Sequence, residues 1–372
     1  MPTSEAINSG HDPDTTAPAP ADAVVAEEQA APPAGRGGRR SASWLVGGVL
    51  VLLGVGLVLV GTMTFAQPVV ARVVLALAGI IGIYTGLARW CAAVFGAGFD
   101  LTFWLCVGWL VLIIAAAVSA PLLPLAEHVE LSETLTEPAY ATPNLFSEHP
   151  LGTNNFGLDL LARVIYGARA SLVVALAAVV IGMVVGGAIG IVAGYFQRGV
   201  DTVVGVLTNS LLSVPPLILL IALASVLSPN LRNIALALSI LAIPSMIRVA
   251  RANTLAFTQR EFVLAARTMG ASRLRVMTRE LLPNVLLPVA SLGMVIISVL
   301  IVAEASLSFL GLGIQPPQPS WGNMIAEGQG GVLEDHPHIV IVPGIALFLT
   351  VFSFNLVGEK ARKRWDPRQA NL

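Results

Sequence analysis

The sequence predicts an all-α polytopic membrane protein, and three observations lead there. Apolar residues make up 55% of the chain and charged residues 12%, with a mean hydropathy of +0.80. A soluble domain cannot bury that much apolar surface, so several membrane helices are required. Eight apolar segments fall at about 44–65, 68–90, 101–121, 168–194, 202–227, 232–255, 284–311 and 338–357. Each is long enough, at about 1.5 Å per residue, to cross a hydrocarbon core of about 30 Å. Finally, an eight-span count sorts the basic residues. Arg36, Arg39, Arg40, Arg89, Arg198, the seven arginines from Arg248 to Arg279, and the tail Lys360, Arg362, Lys363, Arg364 and Arg368 fall on one side. Arg72, Arg163, Arg169 and Arg232 fall on the other. The positive-inside rule makes the arginine-rich side cytoplasmic, with both termini there.

Residues 1–43 are rich in Ala, Pro, Asp and Glu without apolar periodicity, which predicts a disordered cytoplasmic tail. The Arg39-Arg40 pair before an apolar run has the look of a twin-arginine export signal, but the length of that run and the segments after it favour a retained first helix. Residues 44–100 predict an additional transmembrane hairpin turning at Gln67-Pro68, packed peripherally against the core or a partner subunit. Residues 101–166 give a span and a polar external segment with Glu127, Glu130, Glu133, Glu137 and Glu148. Residues 167–358 hold the remaining spans, and 359–372 form a basic tail. Cys91 and Cys106 lie in or near apolar segments and read as buried thiols.

Between two long apolar runs lies a polar, arginine-rich loop at 256–283. Ala265 and Ala266 leave a low-profile surface for a partner backbone, and Gly270 supplies a left-handed residue to end a short helix. Ser272 can cap a second helix, and Pro283 stands where the next long helix should begin. The expectation is helix, turn, helix at the membrane surface, a shape that docks into a groove on another protein.

Several polar residues fall within apolar segments. Ser213-Val-Pro215-Pro216 should kink its span, because proline removes a backbone donor and clashes with the preceding turn. Asn209 and Ser213, four apart, share one face, either for an interhelical hydrogen bond or to line a translocation path. Glu304 lies about ten residues inside its segment and is either a hydrogen-bonded structural acid or a site for a proton or a cationic group. His336-Pro337-His338 offers two metal ligands with no third in sequence, so no metal site is assigned.

Five strings, in order, carry a family resemblance. Ala265-Ala266, Gly270 and Leu282-Pro283 resemble the cytoplasmic EAA loop of ABC importer permeases, with Leu264 in place of the leading Glu. His149-Pro-Leu-Gly-Thr153-Asn-Asn-Phe-Gly157-Leu-Asp159 through Arg163 resembles the external entry of the dipeptide/oligopeptide/nickel branch, with Asn154 for Asp and Leu158 for Arg. Tyr166-Gly-Ala-Arg-Ala-Ser171-Leu172, Leu307-Ser308-Phe309-Leu-Gly-Leu-Gly313 with Gln315-Pro-Pro-Gln-Pro319-Ser-Trp321-Gly, and Phe354-Asn355-Leu-Val-Gly358-Glu359 with Asp366-Pro-Arg368 resemble the same branch. The resemblance covers about 101–368 and leaves out the first hundred residues.

The resemblance implies a six-span type I ABC importer permease core, of the DppC/OppC-like subunit type, preceded by the extra two-helix hairpin and the disordered tail. It implies a multi-pass protein of the bacterial cytoplasmic membrane that forms half of a channel for dipeptides, oligopeptides or related solutes. The implied partners are a DppB/OppB-like permease, DppD/DppF-like ATPase subunits that bind the ATP, and an extracytoplasmic substrate-binding protein. ATPase coupling would fall on Ala265, Ala266, Arg267, Gly270, Ala271, Ser272 and Pro283, and the translocation path on Asn209, Ser213 and Glu304. The chain has no GxxxxGK[ST] phosphate loop, no nucleophile elbow and no zinc helix, so neither ATP binding nor another cofactor nor catalysis is expected. Its basic residues flank apolar segments, which gives nucleic-acid binding no support. Two other classes compete: a proton-coupled transporter working through Glu304, and a membrane scaffold using the tail as a binding arm.

Overall fold

The computed structural model describes residues 36–63, 69–96, 98–130, 134, 137–144 and 146–365. The tail up to residue 35, the Gln67-Pro68 turn, Glu133 and the Asp366-Pro-Arg368 ending lie outside the described residues. The chain divides into two units, Met1–Phe99 and Asp100–Leu372.

The first unit is a helical hairpin of α1 (Arg36–Met63) and α2 (Val69–Phe95). Glycines let its two backbones touch: a Cβ on Gly54 would stand 2.6 Å from the Gly79 carbonyl oxygen, and one on Gly86 2.7 Å from that of Gly47. The helix α1 begins at Arg36, so residues 36–43 are helical rather than part of the expected disordered tail. Extending a formed helix fixes one residue per added hydrogen bond, which is far less costly than starting a new one.

The second unit is all helical. Its long helices are α3 (Leu101–Ser119), α4 (Leu160–Phe196), α7 (Leu231–Phe257), α10 (Leu282–Phe309) and α13 (His338–Trp365). Between α4 and α7 come α5 (Arg198–Ser213) and α6 (Pro216–Val226). Between α7 and α10 come α8 (Glu261–Thr268) and α9 (Arg273–Arg275), and between α10 and α13 come α11 (Trp321–Ala326) and α12 (Val332–Asp335). Among the described residues six helices are long and apolar enough to cross a membrane, seven if α5 and α6, bent by 91° from one another, are taken as one span, and α1 carries a shorter apolar stretch at Val46–Val60. The α4 helix starts at Leu160, capped by the Asp159 carboxylate on the Ala162 N–H at 2.7 Å, so the expected external segment is shorter than residue 166.

The span expected to kink at Ser213-Val-Pro215-Pro216 breaks outright. Pro215 and Pro216 both lack an N–H, and each forces its preceding residue out of the helical region. Val214 (ψ 128°) and Pro215 (ψ 130°) are extended accordingly.

The most extensive packing in this unit joins α4 to α7. Cβ atoms built on Gly182, Gly186, Gly190 and Gly194 would lie 2.9, 2.7, 2.6 and 2.7 Å from the Cβ atoms of Ala242, Met246, Ala250 and Thr254. Both series rise by four, so the two helices run parallel, and the chain between them has to cross from one end to the other. The glycines supply the close backbone approach that drives helix association where no hydrophobic force acts between helices in lipid. Gly194 is the last rung of this ladder, and the chain turns just beyond it at Gln197 (φ 53°) and Arg198 (φ 48°). The α10 helix crosses α4 in the opposite sense, with Gly293 against Val179 and Met183, and Glu304 against Ser171. At the arginine-rich end Lys360 of α13 pairs with Asp100, and further along Trp109 of α3 donates to Thr350 at 3.0 Å.

Gly190→Val would force a branched side chain into Ala250 and the Ile247 carbonyl, 2.6 and 2.7 Å from its Cβ. Overpacking of this kind costs about 1–3 kcal/mol, so the purified variant should lose monodispersity and melt earlier on thermal size-exclusion assays. Gly187→Ala, whose Cβ would meet nothing within 4 Å, should behave as the parent protein.

Candidate functional site

At the arginine-rich end, α7 gives way to a loop folded around its own small core. Val263, Ala266, Val276 and Leu281 are buried together against Tyr195, Phe257, Ala271 and Met277. The α8 helix ends at Gly270, whose φ of +81° is reached without a Cβ clash. Its carbonyls are closed by Gly270 N–H to Arg267 O (3.1 Å) and Ala271 N–H to Ala266 O (3.0 Å). The Ser272 side chain then accepts from Arg275 N–H at 3.4 Å. From Arg273 the chain is helical to Phe309, through a π-helical turn at Val276–Leu281. Pro283 stands in the first turn of α10, as expected, and the widened turn before it, which carries the helical run back to Arg273, accommodates its missing donor.

The two alanines face opposite ways. Ala265 is exposed, whereas Ala266 is buried in the loop's own core, which removes it from the expected partner-facing surface. The outer face instead adds Phe262, Leu264, Met269 and Leu274, with Met269 81% exposed. Arg267, Gly270, Ser272 and Pro283 are exposed and Ala271 half-buried. A groove of about 830 Å³ beside the loop is lined in part by Phe196, Arg198, Leu264, Arg267 and Arg273.

Asn209 and Ser213 are exposed near the end of α5, well apart in sequence and surroundings from Glu304. Ser213 donates to its own helix at Ser210 O (2.8 Å), while Asn209 Oδ1 meets Arg248 of α7 at 3.5 Å. One turn further along α7, Arg251 holds Asp201 in a two-point ion pair, its second contact at 2.6 Å. Glu304 is fully enclosed. Its two oxygens accept from Ser171 of α4 (2.6 Å) and Ser308 of α10 (2.7 Å), and Ser308 Oγ in turn accepts from Ile314 N–H (3.0 Å). This geometry is that of a strut joining α4 and α10, with no opening onto a path.

The opposite end is closed by a folded cap. Thr153 and Asp159 form a bridge, and Gly152 (φ +86°) and Gly157 (φ +77°) make the turns around it. Buried Asn154 accepts from Phe156 and Leu158 N–H (both 3.0 Å) and donates to Glu327 (3.0 Å), which also pairs with buried Arg163. An aspartate at 154 could not donate to Glu327, so asparagine is the residue that fits. Leu158 is buried as filling. Trp321, enclosed against Gly167, donates to Val164 O at 3.1 Å, and Ser320 caps α11 through a reciprocal pair with Asn323. His336 stacks on Tyr140 at 4.3 Å rather than pairing with His338 on one ion, and no group of three metal-ligating side chains occurs among the described residues.

A basic, exposed loop between two antiparallel spans and a capped opposite end match what the chain resembles. The family of binding-protein-dependent transport system inner membrane components matches residues 186–371, half of the chain. The dipeptide transport system permease DppC of Alkalihalophilus pseudofirmus is 33% identical over 68% of this chain and 82% of its own length. The di/tripeptide permease DppC of Pseudomonas aeruginosa is 37% identical (59% and 73%), and the glutathione permease GsiD of Pectobacterium atrosepticum is 36% identical (60% and 73%). The chain belongs to this family. A solved chain of the MetNI methionine ABC transporter aligns with TM-score 0.44 at 19% identity, covering 55% of this chain and 96% of that one. The protein is thus an integral inner-membrane permease of a binding-protein-dependent importer, a transporter subunit and not a catalyst.

Three features of the permease escaped the sequence reading: the glycine ladder, the Arg163–Glu327 pair, and Arg248 beside Asn209. Glycines at 182, 186, 190 and 194 repeat every fourth residue, a signal available in the sequence. Arg248 stands within the apolar segment 232–255, and its position there rather than at a segment end is its signal in the sequence.

His149 lies between Glu137 (3.2 Å) and Asp159 (3.1 Å) in the cap. Burial alone would lower its pKa, but hydrogen bonds and charge from the two carboxylates outweigh burial and raise it above the ordinary 6.5. A raised folded pKa contributes stability that is complete below about 6.5 and is lost as pH climbs through the folded value. Hydrogen exchange across 137–159, corrected for intrinsic rate, should therefore quicken as pH rises from 6.5 through the raised folded value. In His149→Gln that pH dependence should disappear.

Proposed function

We propose that this chain is one of two permease subunits of an ATP-driven importer of small peptides, coupled to its ATPases through the loop around α8 and α9. The carrying observation is that loop: it is self-supported by a buried core, yet it presents Phe262, Leu264, Met269 and Leu274 outward beside Arg267 and Arg273. Exposed apolar side chains on a rigid basic platform are what a docking helix offers a groove on a partner. The relatives named for dipeptides, di/tripeptides and glutathione support a peptide-like cargo, with choice among peptides left to the binding protein.

The arginine-rich end is then cytoplasmic, both termini lie on that side, and the cap faces the binding protein. Nucleotide-driven closure of the ATPases would push on α8. The ladder between α7 and α4 and the continuous helix from Arg273 to Phe309 would pass that push to the channel as the movement of a rigid body. A B-type permease would complete the channel on the exposed face of α5 and α6, where Asn209 and Ser213 face the path. Residues 44–100 and the tail are additions to this six-span core. The enclosure of Glu304 by two hydroxyls favours a structural acid over a proton-coupling site.

Pull-down from membranes should recover ATPase subunits with the parent chain and lose them with Ala265→Glu or Gly270→Pro, uptake falling at least about tenfold, as loss of an interface anchor implies. Glu304→Gln should keep most uptake, and depletion of ATP should abolish it. Recovery of no ATPase by the parent chain, or uptake that survives ATP depletion but not Glu304→Gln, would replace this reading by proton coupling.

A further inference from the structure

Between α5 and α7 lies a cavity of about 330 Å³ whose lining includes Asp201, Thr208, Asn209, Arg248 and Arg251. Its two cations are not equivalent. Arg251 is neutralised by the two-point pair with Asp201. Arg248 has no carboxylate partner among the described residues and touches only Asn209 Oδ1, at 3.5 Å, the outer limit of a hydrogen bond. Thr208, 5% exposed, lines the same cavity, and its hydroxyl is buried without a hydrogen-bond partner. Helical threonines usually return their hydroxyl to a carbonyl one turn back, so this donor is held in reserve.

An arginine on a membrane span is expensive against lipid and is met by water, by a counter-charge or by cargo. Here the unspent groups are a guanidinium fork and a hydroxyl, with the Asn209 amide free to turn its nitrogen inward. All three are donors, and the local acid is already paired, so the cavity selects an anion. The planar fork of arginine matches a carboxylate with two parallel hydrogen bonds.

We propose that Arg248, with Thr208 and Asn209, forms a transient carboxylate site on the translocation path that receives the free C-terminal carboxylate of the peptide cargo. This rests on the peptide-importer reading above. Every linear peptide carries that group whatever its side chains, so a single site can serve cargo of varied sequence. A cavity of about 330 Å³ admits a terminal residue and not a whole oligopeptide. The Asp201–Arg251 pair at its margin keeps a second cation from holding the carboxylate too tightly to release.

The test uses the complete transporter, with partner permease, ATPases and binding protein, in proteoliposomes. Labelled trialanine and its C-terminal amide are each supplied with saturating binding protein. The parent complex should move the free acid faster than the amide. Arg248→Gln should lower that acid-to-amide ratio about tenfold, the size of one charge-assisted contact. Arg248→Lys should restore part of the ratio, and Thr208→Val should lower it in the same direction by less. Equal loss for acid and amide in Arg248→Gln overturns the site, as does loss of the partner permease from that complex. In either case Arg248 serves a fixed group of a neighbouring subunit. Failure of the parent complex to carry either compound overturns the peptide reading, and with it this site, before any variant is compared.

Discussion

Four glycines set on α4 at every fourth position bring its backbone against α7, and much of this permease depends on that contact. In lipid there is no hydrophobic gain from pairing apolar helices, so association rests on close van der Waals contact and on what polar groups can exchange. Gly182, Gly186, Gly190 and Gly194, in the second half of α4, meet Ala242, Met246, Ala250 and Thr254. Because the two helices run parallel, residues 198–230 have to return across the membrane, and Pro215 and Pro216 break that return into a bent pair. The bend leaves the polar end of α5 against α7, where Asp201 meets Arg251 and Asn209 meets Arg248.

Function at the two ends follows from how each is held. The loop beyond α7 is no flexible tether: its own four-residue core and the helical continuity from Arg273 make it an extension of α7 and α10. At the other end, Arg163, Asn154 and Glu327 share charge and hydrogen bonds, Glu304 joins α4 to α10, and Trp321 fills the space beside Gly167. These contacts tie the cap to the first turns of α4, whereas α5 and α6 are largely exposed, with one buried residue each.

Much of this was legible in the sequence because it depended on local chemistry. Span positions followed from apolar length, the Gly270 turn from its need for positive φ, the Ser272 cap from its hydroxyl, and the family from strings spread over the core. What escaped reading depended on partners distant in sequence. Ala266 and Ala265 are chemically identical, and only the folding of Val276 and Leu281 beneath α8 turns one of them inward. Glu304 carries no sign in sequence that Ser171, 133 positions away, will enclose it. The substitution of Asn154 for an acid makes sense only beside Glu327. The glycine ladder is the exception, since its period of four stands in the sequence itself.

The claim on which the account turns is that α4 and α7 move as one body during transport. Spin labels at exposed Val192 of α4 and Ala252 of α7 report it directly, in the assembled transporter with Cys91 and Cys106 replaced. A single narrow distance distribution, identical without nucleotide, with ATP trapped and during turnover, is the predicted result. A distribution that shifts or splits between those states would mean that the helices part, and the glycine ladder would not be the unit that carries the motion.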